Sequence, residues 1–343
     1  MSWKPDTLWW IITGHCNLKC KHCYIEAPNR KYNQVSTEDA IFIVDKVMHN
    51  GIKKFFITGG EPFLRSDILV IFNYIINKGG VITGIDSNGT IISDEIINFL
   101  KTNNVFVNIS HDGTNFTNWN RGADIESKTI ETIKLLINND IVTNINTSLF
   151  PDNTGNLLDL FDTLKDIKIN QWLVFSPFYT GNYLGNYKKI LLDEEVNMYK
   201  ILYTKWEDEG KPFDIRLGNT FDSKNVATKW NNYVCEYFRE TITVFPDGQL
   251  TPCCKYIAHK DYKLFPNIFK NSDDEIFTRS LLKDYKDLKF SDVIHANPDC
   301  ISCDLLDKCN MGCPMESYLE NGNFLERDNR NCTIMKQSNL SLK

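Results

Sequence analysis

The stretch Thr7-Leu-Trp-Trp-Ile-Ile-Thr-Gly-His-Cys16-Asn-Leu-Lys-Cys20-Lys-His-Cys23 decides the fold of this chain. Residues 7–13 form a β-branched and aromatic run of strand character, and the residues behind them put three thiols on one loop. Five more runs of the same kind follow at residues 54–58, 81–86, 105–110, 142–149 and 171–176, starting 24 to 47 residues apart. Every gap has room for a crossover helix. Helices are predicted at residues 37–48, 66–77, 93–100 and 125–137. The first can be capped by Ser36 or Thr37, and Glu38 and Asp39 suit the positive end of its dipole. Six such units in series predict an α/β parallel sheet, open or barrel-like, with its chemistry at the carboxyl ends of the strands. The unusual motifs fall there: Cys16 after the first strand, Gly59-Gly60-Glu61-Pro62 after the second, Ser87-Asn88-Gly89-Thr90 after the third and Ser110-His111-Asp112-Gly113 after the fourth.

Beyond residue 177 the pattern becomes aromatic and Gly/Asn-rich (Phe178, Tyr179, Tyr183, Tyr187), followed by a helix at residues 193–207. A second domain is predicted from Asn219, giving a division into residues 1–218 and 219–343. It carries eight of the 11 cysteines, whereas none lies between residues 24 and 234. Metal clusters there would replace part of a core short of apolar residues.

The chain has 343 residues, 42% hydrophobic and 24% charged, with a net charge of −6, which describes a soluble globular protein and excludes disorder. The apolar run at residues 8–13 is too short for a signal sequence, and no stretch is long enough for a membrane span. A cytoplasmic location follows by default, and clustered cysteines in the cytosol are more often metal ligands or catalysts than disulfides. The acidic balance gives no electrostatic case for nucleic acid or an anionic membrane as partner. A small molecule or a peptide is the expected substrate.

Cys16, Cys20 and Cys23 sit at a spacing that lets one loop reach three corners of an iron–sulfur cubane, leaving one iron open for a substrate or cofactor. A zinc site completed by His15 or His22 is the alternative reading of the same spacing. In the second constellation, Cys235 is followed by Gly248 and Cys253, then by Cys300-x2-Cys303-x5-Cys309-x3-Cys313 and Cys332. These seven ligands suit two zinc sites or two cubanes.

CxxxCxxC after a first strand and GGEP after a second together resemble the radical S-adenosylmethionine enzymes. The resemblance covers residues 7–176. It implies a partial (β/α)6 TIM-like barrel with a 4Fe-4S cluster on Cys16, Cys20 and Cys23. It also implies that the methionyl group of S-adenosylmethionine binds the open iron, and that reductive cleavage yields a 5′-deoxyadenosyl radical that takes a hydrogen atom from the substrate. The cofactor then carries the hard chemistry and the barrel supplies aim and exclusion of water. Carried over residue by residue, Gly59, Gly60, Glu61 and Pro62 match the stretch that receives the methionyl amine. Ser87 and Asn88 resemble the polar pair that contacts ribose or carboxylate, although Asn-Gly is also a common turn dipeptide. Ser110 and Arg121 are further cofactor-binding candidates, Arg121 because a guanidinium pairs well with a carboxylate. His22 fills the aromatic slot beside adenine.

Residues 235–332 resemble the SPASM extension, an iron–sulfur domain with two auxiliary 4Fe-4S clusters, which brings the expected total to three. The resemblance assigns Cys235, Cys253 and Cys313 to an inner cluster and Cys300, Cys303, Cys309 and Cys332 to an outer one. Cys254 is left over, with three readings: a further inner ligand, a buried filler, or a thiol facing the active site. In related enzymes this slot holds an aspartate base in sulfatase maturases or a hydrogen-donating thiol in peptide epimerases. A thiol there disfavours the sulfatase-maturase role.

SPASM enzymes mostly modify ribosomal peptides, by epimerisation, thioether or carbon–carbon crosslinking. That substrate class is the leading expectation, with Cys254 as catalytic hydrogen donor or as bystander and a flavodoxin or ferredoxin as reductant. Only 15 residues precede Cys16, so no leader-binding module is expected. Peptide recognition then falls to a separate leader-binding protein or to the barrel mouth and the aromatic stretch, whose residues are equally suited to packing between domains. The alternatives are a radical dehydrogenase of a small polyol or aminocyclitol, a sulfatase maturase, and, from another class, a zinc-stabilised binding module.

Overall fold

A computed structural model describes residues 5–27, 35–178, 180–183, 188–218, 235, 240–258, 262–278, 282, 288–306, 309 and 311–338. All six predicted strands are present: β1 (Thr7–Ile11), β2 (Lys54–Thr58), β3 (Val81–Ser87), β4 (Phe106–Ser110), β5 (Thr143–Ser148) and β6 (Gln171–Phe175). They run parallel and in sequence order, with Trp9 opposite Phe56, Ile85 opposite Val107 and Ile145 opposite Trp172. Three further strands extend the sheet. β7 (Asp214–Leu217) pairs with β6, β8 (Thr241–Val244) lies parallel to the free side of β1, and β9 (Leu250–Thr251) returns antiparallel on β8. The order β7-β6-β5-β4-β3-β2-β1-β8-β9 is that of an open, partial barrel. Its β8–β9 edge comes from chain about 180 residues beyond β2, the neighbour of β1 on the other side. Asn219, where the second domain was expected to begin, lies outside the described residues.

The crossovers are α1 (Thr37–His49), α2 (Ile68–Asn77), α3 (Asp94–Thr102), α4 (Phe116–Arg121), α5 (Ile125–Asn138) and α6 (Leu157–Ile167), and α7 (Leu192–Asp208) trails β6. Ser36 caps α1 by accepting from the Asp39 amide at 3.0 Å. Thr37, the alternative, instead donates to Asp67 at 2.7 Å. All of the crossover helices but the short α4 bury an apolar stripe, such as Ile43 and Val47 of α1 or Ile133 and Leu136 of α5, against one face of the sheet. Leu8, Trp10, Phe55, Ile57, Val107 and Ile109 supply that face.

The alternate residues face inward, and several are polar: Thr58 on β2, Asp86 on β3, Asn108 and Ser110 on β4, Asn144 and Asn146 on β5. A parallel sheet covered on both sides is normally apolar on both, so this inner face departs from simple packing. It is tied together by Asn108 Nδ2 donating to Asp86 Oδ1 at 2.8 Å and Asn144 Nδ2 donating to Asn108 Oδ1 at 3.0 Å.

Among its described residues the C-terminal segment has short helices, including Asp273–Phe277, Phe290–Ala296, Pro314–Asn321 and Asn329–Ser338. Part of it keeps a small apolar cluster of its own around Phe290, Ile294 and Met311. Beyond the β8–β1 pairing, polar contacts fasten it to the barrel. Lys46 of α1 donates to the carbonyls of Ile268 at 2.9 Å and Asn271 at 2.6 Å. Buried Glu195 of α7 accepts from Ser176 and Tyr199, each at 2.8 Å, and pairs with Arg330 of the Asn329–Ser338 helix. Among the described residues no helix is long and apolar enough to cross a membrane.

Candidate functional site

The loop carrying Cys16, Cys20 and Cys23 is held by backbone from three sides. Gly60 N donates to Thr13 O at 2.8 Å and Glu61 N to His15 O at 2.9 Å, which stitches the end of β2 to the end of β1. A Cβ on Gly60 would stand 2.2 Å from the His15 carbonyl oxygen, so this approach requires glycine. Lys21 N donates to Asn120 O at 3.2 Å, and Asn182 N to Cys23 O at 3.1 Å.

Glu61 is fully buried. Its carboxylate accepts from the amides of Phe63 (3.1 Å) and Asn88 (2.8 Å) and from Ser87 Oγ (3.0 and 3.2 Å). Burial pushes it up to about 7 against these donors. Both oxygens thus hold the Ser87-Asn88 turn in place. Pro62 opens the short Pro62–Leu64 turn beneath. Asn88 in turn reaches the cysteine loop, with Nδ2 donating to Asn17 Oδ1 at 3.0 Å and lying 3.7 Å from Cys16 Sγ.

On the other side of the loop, Arg121 at the end of α4 has a carboxylate partner within the chain. Its Nε and Nη2 bond the two oxygens of fully buried Asp112 at 2.8 and 3.0 Å, while Nη1 lies 3.9 Å from Cys20 Sγ. Asp112 also accepts from Asn120 Nδ2 at 2.6 Å and from the Ser148 amide at 3.0 Å. Burial alone would raise Asp112, but Arg121 holds it below the usual carboxylate range. His22 joins this network: burial, then Arg121, pushes it down to about 4, so it is neutral near pH 7. Arg121 Nη2 lies 3.5 Å from its Nε2, and its Nδ1 meets the Asn120 amide, 2.9 Å from Nδ2 and 3.1 Å from Oδ1. Its ring meets Phe150 edge-on at 5.4 Å. Ser110 sits on the inner face opposite Asn146, while His111, next in sequence, is buried.

In the C-terminal segment Cys300, Cys303, Cys309 and Cys332 line one pocket walled by Leu306 and Met311. The Met311 amide (3.4 Å) and Asn331 Nδ2 (3.8 Å) point at Cys309 Sγ. Cys253 follows β9, and burial together with the charges of Cys254, Cys313 and Cys235 raises its thiol well above normal. Lys255 Nζ lies 3.5 Å from Cys313 Sγ. The turn between β8 and β9 is made at Gly248 (φ +78°), where a side chain would strike the Phe269 ring.

Cys254 departs from its neighbour. It packs with Cys16, Cys23 and Trp9 on an apolar cluster of Ile11, Ile25, Phe245 and Ile257. Burial pushes its thiol up to about 11, helped by the nearby charge of Asp86. Burial also lifts Asp86, to about 6, while Asn108 and Thr58 hold it back. Of the aromatic stretch, Phe178 packs edge-on against Tyr24 at 5.6 Å and Tyr183 against Phe150 at 5.7 Å. Both are packing residues, while Tyr179 and Tyr187 lie outside the described residues.

N–H donors thus point at cysteine sulfurs in both parts of the chain: Leu18 (3.4 Å) and Asn88 at Cys16, Arg121 at Cys20, Lys255 at Cys313, and Met311 and Asn331 at Cys309. Sulfur ligands with N–H groups aimed at them are the setting of iron–sulfur clusters. The described side chains do not gather about one point as the ligands of a single ion do. Burial pushes the thiols up to about 11 at Cys16, 12 at Cys23 and 11 at Cys309, so metal must displace protons on assembly. Sequence patterning missed Asp86, Asn108, Asn144, Lys255 and Glu316, and marked Asp112 only as part of the motif after the fourth strand. For the first three the signal was polar residues at inward-alternating positions of β3 to β5.

Residues 10–164 match the radical SAM superfamily, and residues 235–304 match SPASM, an iron–sulfur cluster-binding domain. Cys309, Cys313 and Cys332 lie beyond the second match. The antilisterial bacteriocin subtilosin biosynthesis protein AlbA of Bacillus subtilis is 28% identical over 279 residues, 79% of this chain and 59% of that protein. An AdoMet-dependent heme synthase of Nitratidesulfovibrio vulgaris is 29% identical over 181 residues, 51% of this chain and 49% of that enzyme. The chain thus spans about half the length of these curated relatives. Among solved structures, anSMEcpe with bound AdoMet and Cp18Cys peptide superposes with a TM-score of 0.73 at 21% identity, covering 97% of this chain and 95% of that one, which shows the fold.

Proposed function

From the premise that this chain is a radical S-adenosylmethionine enzyme with a SPASM iron–sulfur domain, we propose that its substrate is a ribosomally made peptide. In this reading Cys16, Cys20 and Cys23 hold the radical cluster. Cys235, Cys253 and Cys313 hold an inner auxiliary cluster, and Cys300, Cys303, Cys309 and Cys332 an outer one, in a domain spanning residues 219–343. When bound, the radical cluster and S-adenosylmethionine supply a 5′-deoxyadenosyl radical able to remove a hydrogen atom from carbon. The chain's own residues do the rest. Gly59, Gly60 and Pro62 offer backbone to the methionyl group, and Ser87, Asn88 and Ser110 offer polar groups to the cofactor. Glu61 and Arg121 act as positioning residues, because their charges are engaged with Ser87, Asn88 and Asp112.

The observation that carries the proposal is the placement of Cys254, which packs with Cys16 and Cys23 on one apolar cluster and lies near Asp86 of the inner face. A thiol there suits hydrogen-atom donation to a substrate carbon. Its S–H bond breaks as a C–H bond forms on the face opposite abstraction, which inverts an α-carbon. The sulfur is then short of one electron and one proton, which a flavodoxin or ferredoxin and solvent return. The name of AlbA and the peptide bound to anSMEcpe support a peptide substrate.

The test is anaerobic reconstitution and incubation in heavy water with short peptides encoded beside the gene. One solvent deuterium at an unchanged bond pattern means epimerisation, and loss of two hydrogens means crosslinking. If Cys254→Ala gives product of unchanged stereochemistry and yield, the donor role is wrong. Because the Nitratidesulfovibrio relative is a heme synthase, conversion of an iron porphyrin in the same assay in preference to every peptide would overturn the substrate class.

A further inference from the structure

Lys255 is a buried lysine, 8% exposed, in the short turn Cys254–Ala258 that follows Cys253. Its ammonium has three partners: Cys313 Sγ at 3.5 Å, Glu316 Oε1 at 2.6 Å and the face of Phe178, 4.2 Å from the ring centroid. Glu316 lies in the first turn of helix Pro314–Asn321, for which Cys313 is the N-cap residue. A buried ammonium is costly unless paired, and a carboxylate by itself would meet that need. The fold does more, since it sets the charge against the sulfur of a candidate cluster ligand.

We propose that Lys255 tunes the inner auxiliary cluster, raising its one-electron reduction potential through the N–H···S contact and positive charge at Cys313, with Glu316 as the opposing negative charge. This rests on the ligand set Cys235, Cys253 and Cys313 advanced above. A cation and a hydrogen bond at a ligand sulfur favour the more negative, reduced form of a cluster, and net charge and N–H···S bonds are general determinants of such potentials. Lys255 does not touch substrate in this account and acts only through the cluster.

The experiment is a redox titration of the reconstituted full-length chain followed by electron paramagnetic resonance, with dithionite and mediators as reductant. The signal that responds to S-adenosylmethionine is set aside as the radical cluster. Lys255→Met is expected to lower one remaining potential, leaving that cluster about tenfold less reduced at the wild-type midpoint, a shift of about 59 mV for one electron. Glu316→Gln should move the same signal upward and Lys255→Arg should keep it close to wild type. Opposite signs are what a merely structural ion pair would not give. Unchanged potentials in loaded Lys255→Met and Glu316→Gln protein overturn the tuning role while leaving the ligand set intact. If Lys255→Met fails to load, Glu316→Gln decides alone, an upward shift supporting the role and no shift overturning it. Wild-type chain with no auxiliary signal and no iron beyond one cluster overturns the ligand set, and the proposal with it.

Discussion

Replacing Gly60 with alanine puts a methyl group 2.2 Å from the His15 carbonyl oxygen and 3.1 Å from Cys16 Cβ. Real contacts of this kind do not fall below 3.0 Å, so backbone must move by at least the 0.8 Å between the two distances. The atom in the way is main chain, which cannot swing aside as a side chain would. The bonds Gly60 N to Thr13 O and Glu61 N to His15 O lie on either side of the new methyl, and they connect the β2 end to the cysteine loop. Losing them costs about 1 kcal/mol each, and overpacking adds roughly 1–3 kcal/mol. A displacement near 1 Å at a reacting centre can cost about a hundredfold in rate. The expected outcome for Gly60→Ala is therefore a fall of that order in 5′-deoxyadenosine formation per loaded radical cluster, measured anaerobically by chromatography. Gly155→Ala is the control, since a Cβ there meets nothing within 4 Å. A Gly60→Ala enzyme with full iron and a rate within twofold of wild type would refute the view that the GGEP backbone positions the cluster loop.

Asp112→Ala strands the buried Arg121 guanidinium without its partner, at a cost of about 3–5 kcal/mol. That is a drop of roughly 5 °C in apparent melting temperature for a chain of this size, read by circular dichroism. His111 is buried and burial pushes it down to about 4 from its ordinary 6.5. Its folded form stays neutral where the unfolded chain already binds a proton. Stability is therefore lost as pH falls from 6.5 toward 4, by about 2 kcal/mol between pH 7 and 5. His111→Gln should flatten that part of the melting profile, and an unchanged slope would contradict the assignment. Glu195→Ala removes the acceptor shared by Ser176, Tyr199 and Arg330, at a cost of about 3 kcal/mol. Because the Arg330 helix carries Cys332, iron bleaching under a chelator should quicken in the C-terminal segment before the barrel melts.

The parts of the site readable from sequence are those where one local stretch does one job. The three loop cysteines, the Gly-Gly turn that needs close backbone approach, and the β-branched runs of β1 to β6 all announce themselves within a few residues. What escaped depends on contacts between distant segments. β8 lies beside β1 only because the chain returns some 230 residues later, and β7 is four residues, Asp-Ile-Arg-Leu, with little period to detect. Arg121 and Asp112 lie only nine positions apart on the connection after β4, but no local periodicity announces their pairing. The bonds that Glu61 accepts from Ser87 and the Asn88 amide join residues 26 and 27 positions apart and form only in the fold. Lys255 and Glu316, separated by 61 positions, meet only in the fold.

The most direct test of the account is the iron and acid-labile sulfide content of anaerobically reconstituted full-length chain, set beside that of the Cys16→Ala, Cys20→Ala, Cys23→Ala triple variant. Three cubanes predict about twelve irons and twelve sulfides per chain, falling by about four of each in the variant, with loss of all 5′-deoxyadenosine formation. Zinc without labile sulfide, or iron that does not fall when the three loop thiols are removed, would contradict it.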